Sequence, residues 1–244
     1  MLRNIKITIE YDGTNYAGWQ YQPNKKTIQG EIEKALEKIF KKRIRIIGAG
    51  RTDAGVHASG QVANFKIDSN ITVGKLHRAL NGNLPSDIFV RKVIEVSKDF
   101  HARFDALSKI YEYRLLLRRS PLRRRFAWEV KYKIDVRVVK RGLRRFLGEH
   151  DFSNFSVARD KENRICKIIK VGLKRKEDEV VVVIEADRFL NKMVRMIIGF
   201  LVDLGRGRFD FKITETMFDQ RFKKNFTVAP SQGLFLVKVK YSLY

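Results

Sequence analysis

The chain has 244 residues, enough for one large domain or two of about 100–150, and its 44% hydrophobic content supports a genuine core. Its 51 Lys and Arg outnumber 27 Asp and Glu, leaving a net charge of +24 and a pI near 10.2; spread along the whole chain, such an excess is the electrostatic footprint of nucleic-acid binding. No stretch approaches the ~20 apolar residues of a membrane span, and the lone Cys166 excludes an intramolecular disulfide and a Cys-rich zinc site.

In chain order, residues 4–11 place Ile5, Ile7, Ile9 and Tyr11 on one face, which predicts a strand. Thr27 reads as an N-cap opening a helix over 28–41, with Ile32, Ala35, Leu36 and Ile39 as its apolar stripe. A short strand at 44–47 feeds a glycine-punctuated stretch. A strand at 62–67, a helix at 73–80 closed by Asn81-Gly82 and a strand at 88–96 complete the first half. The second half restarts with a strand at 109–117, a helix at 136–147 and strands at 165–173 and 179–186. A helix at 190–204 stopped by Gly205, a shorter helix near 213–221 and a strand at 234–241 follow. The pattern predicts an α+β protein of two RRM/ferredoxin-like halves, each an antiparallel sheet with helices on one face. The expected domains are 1–106 and 107–244. With four prolines and no low-complexity linker, they are expected to pack tightly around a basic active-site cleft. The N-terminus lacks a signal-peptide apolar region, so a cytoplasmic protein is expected.

Residues 48–65, GAGRTDAGVHASGQVANF, carry most of the chemistry. Four glycines shape a loop around Asp53, with Arg51 two residues before and His57 four after. A carboxylate on a rigid loop beside a guanidinium stays ionised and can act as nucleophile or base; the alternative is a turn aspartate bonding its own backbone. The spacing fits neither a dinucleotide fingerprint, because Asp53 stands where the third glycine belongs, nor a P-loop, which needs a closing Gly-Lys-Ser/Thr.

Elsewhere, Tyr111 and Tyr113 share a strand face with Leu115, either as core aromatics or, for Tyr111, as a ring that stacks on a base. Arg195 interrupts the apolar run 193–202 and needs a partner: a structural ion pair or a functional carboxylate. Basic clusters lie at 41–45, at 140–145 and at Arg118, Arg119, Arg123, Arg124 and Arg125. Together they favour a polyanion over merely solvated faces. His57, His77, His101 and His150 have no metal-ligand spacing, so no metal is expected. Cys166 reads as a small strand hydrophobe.

The 48–65 loop strongly resembles the active-site motif of the tRNA pseudouridine synthase A (TruA-type) family. Further segments continue the resemblance in order: YDGTNYAGWQ at 11–20, TIQGEIEKAL at 27–36, ALNGNLP at 79–85 and FHARFDALSKIYEYRL at 100–115. GEHDFSNF at 148–155, FLNKMVRMIIGFLVDLGRG at 189–207 and APSQGLFLVKVKY at 229–241 extend it over nearly the whole chain; residues 156–164 depart from the usual pattern. The resemblance implies that Asp53 is the nucleophilic aspartate, Arg51 helps displace the target base, Tyr111 contacts the flipped uracil and Arg195 pairs with the aspartate. Leu234 would supply an apolar contact near the base. It also implies a homodimer acting on uridines 38–40 of the tRNA anticodon stem-loop, with one tRNA touching both subunits and no cofactor. Two other classes are a non-catalytic RNA-binding or chaperone protein and a cysteine-dependent uracil methyltransferase, which would need Cys166 as a reactive thiolate.

Overall fold

The computed structural model describes residues 2–157, 163–219, 222 and 225–242. The chain first forms β1 (Leu2–Tyr11), α1 (Ile28–Phe40), β2 (Ile47–Gly48), β3 (His57–Asp68), α2 (Val73–Asn83) and β4 (Ile88–Val96). Then come β5 (Ser108–Leu116), β6 (Trp128–Glu129), α3 (Val136–Arg144), β7 (Gly148–Asp151), β8 (Ile165–Lys176), β9 (Glu179–Ala186), α4 (Met193–Gly205) and β10 (Leu234–Lys240). They fall into two units: one runs through Leu107 and resumes at Phe235, the other is Ser108–Leu234. Among the described residues no helix is long and apolar enough to cross a membrane.

In the first unit β1 lies between β4 and β3, antiparallel to both, with Ile7 opposite Ala63 on one side and Val93 on the other. Ile5, Ile7 and Ile9 are fully buried, as are Ile32 and Leu36 of α1 and Leu80 of α2. Each such side chain contributes about 1.5–3 kcal/mol by leaving water. Thr27 caps α1 as its sequence predicts, its side chain accepting from Gly30 N–H. The far edge of β3 is shared by β2, antiparallel at Asn64 and Ala63, and by β10, parallel at His57 and Ala58. Chain order alone groups 107–244 together; this parallel pairing instead carries residues from Phe235 onward into the first unit.

The short strand expected at 44–47 lies instead at Ile47–Gly48, where pairing with Asn64 and Ala63 of β3 defines it, and two further expectations shift for physical reasons. The strand expected at 62–67 begins at His57, because His57 and Ala58 pair with Phe235 and Leu236 of β10 and Ala58 also with Tyr11 of β1, contacts that local propensity does not disclose. The helix α2 runs past Asn81-Gly82 to Asn83. The Asn81 side chain bonds both backbone groups of Val90 (2.8 and 3.0 Å) and so takes no part in a turn.

The second unit orders its strands β5-β9-β8-β7, all antiparallel, with β6 added parallel on β5. Both units are thus α+β, each with one parallel pair in an otherwise antiparallel sheet. Helix α3 packs on α4 and β8. It ends at Arg144 rather than 147, and Phe146 turns inward to meet Phe152, Phe155 and Phe200 at 5.0–6.4 Å. Helix α4 starts at Met193 because Lys192 sits in the left-handed region (φ 59°) and breaks the run expected from 190. The helix expected near 213–221 is a 3-10 turn at Phe211–Glu215, and 220–221 lie outside the described residues, as do 158–162 of the departing 156–164 segment.

Candidate active site

The Asp53 loop spans the short gap between β2 and β3 and is fastened on both sides of the carboxylate. On the β2 side, Ala49 N–H donates to Val62 O (2.8 Å), and the buried Gln61 side chain donates to Gly50 O (2.9 Å). Thr52 is held twice: its carbonyl accepts from Trp19 N–H (3.0 Å), and its hydroxyl pairs with the Tyr11 phenol (2.8 Å). On the β3 side, Val56 N–H donates to Asp53 O (3.2 Å), closing a turn in which Gly55 takes φ 75°. A type II turn needs a positive φ at that position, which glycine adopts without penalty.

The 11–20 segment presses bare backbone against this loop. A Cβ on Gly13 would stand 2.0 Å from Val56 O, and one on Gly18 would stand 2.6 Å from Thr52 O. His57, buried at the start of β3, completes the brace: its Nδ1 lies 3.1 Å from both Gly13 N and Asp12 Oδ1, and its ring stacks on Phe235 at 4.8 Å. Whichever partner Nδ1 engages, the imidazole ties the Asp12-Gly13 corner to the loop. Asp53 therefore sits half-buried on an immobilised backbone, while Arg51 projects into solvent. Such an arrangement fixes the position from which the Asp53 side chain leaves the backbone.

In the second unit Tyr111, Tyr113 and Leu115 share the buried face of β5 as the alternation predicts. The Tyr111 ring meets Phe189 edge-on at 4.9 Å. Tyr113 donates to Pro230 O (2.7 Å), and burial pushes its phenol well above the ordinary tyrosine value, with the Arg195 charge opposing that shift. Half-buried Arg195 donates from Nε to Ala229 O (2.7 Å), and Ala229 N–H returns a bond to Arg195 O (3.0 Å). The Nε bond sets the plane of the guanidinium and hence the direction of its terminal fork. Leu234 is buried where β10 begins.

The arginine-rich turn is divided. Arg123 grips Asp178 through both carboxylate oxygens (2.8 and 2.9 Å) and reaches Glu179 at 3.5 Å; Arg118 Nε lies 3.4 Å from Asp178. Arg123 thus anchors the turn, whereas Arg119, Arg124 and Arg125 are exposed. Cys166 is buried, and desolvation pushes its thiol up to about 11, which withholds the thiolate that nucleophilic attack requires.

Three contributors escaped the sequence reading. Gly13 and Gly18 act through close approaches that no local pattern reveals. The third, Asp203, is 1% exposed and accepts from Thr227 N–H (2.8 Å) and Oγ1–H (3.2 Å). Its signal was available: an acidic residue inside an apolar helix, eight positions after Arg195 and so on the same face.

The family profile described as "tRNA pseudouridine synthase" matches residues 7–105 and 143–242. A protein of Thermosipho melanesiensis named "tRNA pseudouridine synthase A" is 41% identical, over 98% of this chain and 100% of its own. Proteins of the same name from Caldicellulosiruptor saccharolyticus (41%) and Thermoanaerobacter sp. (39%) align over the same shares of both chains. Among solved structures, an archaeal box H/ACA sRNP Nop10-Cbf5 complex gives TM-score 0.35 at 10% identity, over 81% of this chain and 44% of that one.

Proposed function

Because the chain belongs to the tRNA pseudouridine synthase family, we infer that it is an enzyme that isomerises uridine to pseudouridine in tRNA, with Asp53 as its catalytic carboxylate. The observation that carries the assignment to Asp53 is the hold on its backbone from both sides: Trp19 and Tyr11, remote in sequence, bond Thr52, and Gly13 packs closely against Val56, whose N–H closes the turn on Asp53 O.

The reaction breaks the N1–C1′ bond, turns the base, joins C5 to C1′, removes the C5 proton and leaves N1 protonated. Nothing is oxidised and no group is donated. The target base must leave its stack to reach the loop. Asp53 acts as the nucleophile. Arg51, exposed beside it, occupies the place of the displaced base. Tyr111, its ring set by Phe189, contacts the uracil and receives the C5 proton. Arg195 supports the ionised aspartate, and Leu234 gives the base an apolar contact. Folded RNA is recognised largely through phosphates, 2′-hydroxyls and shape, and the exposed Arg119, Arg124 and Arg125 serve that role. The substrate uridines are those at positions 38–40 of the anticodon stem-loop, modified in the cytoplasm by a homodimer.

The test is chemical mapping of pseudouridine in tRNA transcripts carrying uridine at 38, 39 or 40, treated with wild-type protein or Asp53→Asn. Modification at these positions by the wild type alone supports the assignment. Modification elsewhere overturns the positional part, and undiminished modification by Asp53→Asn overturns the role of Asp53. A protein that binds tRNA without modifying it would be an RNA-binding relative.

A further inference from the structure

Residues 195, 199 and 203 of α4 are spaced i, i+4, i+8 and form one stripe along the helix. The 227–229 segment lies along that stripe and is fastened at both ends. At one end Asp203 takes two hydrogen bonds from Thr227 (2.8 and 3.2 Å). At the other, Arg195 and Ala229 exchange a pair of bonds (2.7 and 3.0 Å). Between them a Cβ on Gly199 would stand 1.5 Å from Thr227 O, so the segment rests on bare helix and has one available height above it. The Asp203 carboxylate is buried, and it is compensated by Arg208 at 3.0 Å and Arg206 at 3.8 Å. A charge held inside an apolar helix in this way is tolerated only with such partners.

We propose that Asp203 is a positioning residue for Arg195: it fixes the 227–229 segment, whose Ala229 carbonyl sets the plane of the Arg195 guanidinium. Asp203 acts about 12 Å away along the helix, at 1.5 Å rise per residue, and does not touch substrate. The inference rests on the role assigned to Arg195 above. Displacements of about 1 Å in a catalytic array can lower turnover by up to about a hundredfold, and a partial loss of the Asp203 fastening falls inside that range.

The experiment is a double-mutant cycle of Asp203→Asn and Arg195→Ala, with kcat and KM for tRNA measured separately and thermal melting as the folding control. Asp203→Asn is expected to lower kcat about tenfold with KM unchanged within about twofold, and to cause no further fall in the Arg195→Ala background. A loss that multiplies onto that of Arg195→Ala, or a rise in KM at constant kcat, overturns the positioning role alone. Undiminished kcat in Arg195→Ala overturns the role of Arg195 and the inference with it. Thr227→Val, which keeps the carboxylate and removes only the 3.2 Å bond, covers the case in which Asp203→Asn does not fold. It is expected to lower kcat about threefold, again only when Arg195 is present, and an equal loss without Arg195 overturns the inference.

Discussion

Replacing Gly13 by alanine probes the brace that holds the Asp53 loop. The added methyl would stand 2.0 Å from Val56 O and 2.7 Å from Val56 C, both backbone atoms with no rotamer to yield. An ordinary contact needs about 3.4 Å, so the 11–20 segment and the loop must part by more than 1 Å. Gly13 N–H also faces His57 Nδ1 at 3.1 Å, and this contact lengthens with them. Overpacking of this kind costs about 1–3 kcal/mol, which for a chain of this size lowers Tm by roughly 2–4 °C per kcal/mol. Because Val56 N–H closes the turn on Asp53 O, the shift reaches the carboxylate, and kcat should fall by about ten- to a hundredfold. The assay is single-turnover pseudouridine formation at saturating protein, beside a melting curve and a tRNA-binding titration. A Gly13→Ala protein with wild-type turnover would refute the claim that this close approach positions Asp53.

Other substitutions separate scaffold from surface. Gly82 lies inside α2 with nothing within 4 Å of its Cβ position; Gly82→Ala should raise stability by about 0.5–1 kcal/mol in denaturant unfolding without altering kcat. Removing Arg119 and Arg124 together should lower the slope of log K for tRNA against log[salt] by about 0.7–0.9 per lost phosphate contact; an unchanged slope would place RNA elsewhere. Cys166→Ala should retain full turnover. The native Cys166 thiol, raised to about 11 from an ordinary value of 9.0, stays protonated in the fold where the unfolded chain has already ionised. Its contribution to stability is therefore complete below pH 9 and falls as pH rises from 9 to 11; Cys166→Ala should flatten the stability profile across that window.

Elements with strong local alternation were legible without a structure. The strands at 88–96 and 179–186 coincide with β4 and β9, and Thr27 announced α1. Short elements were not, because β6 and β7 have 2 and 4 residues and exist only through their partners. The start of α4 depended on a left-handed Lys192 that residue type does not disclose. The same boundary runs through the site. Asp53 and its glycines were put forward by a local pattern, and Tyr111 and Arg195 by the family likeness. What holds them came from distant parts of the chain: Gly13 against Val56, Phe235 over His57 and Asp203 beneath Thr227. Arg123 looked like one of five equivalent cations until Asp178 claimed it.

Asp53 is proposed to drive exchange of the glycosidic bond from N1 to C5, and tritium release from tRNA carrying C5-tritiated uridine measures that exchange directly. Release by the wild-type protein, absent with Asp53→Asn although that variant binds tRNA with unchanged affinity, is the predicted result. Equal release by both proteins would contradict the role of Asp53, and no release by the wild type despite tight tRNA binding would contradict the activity itself.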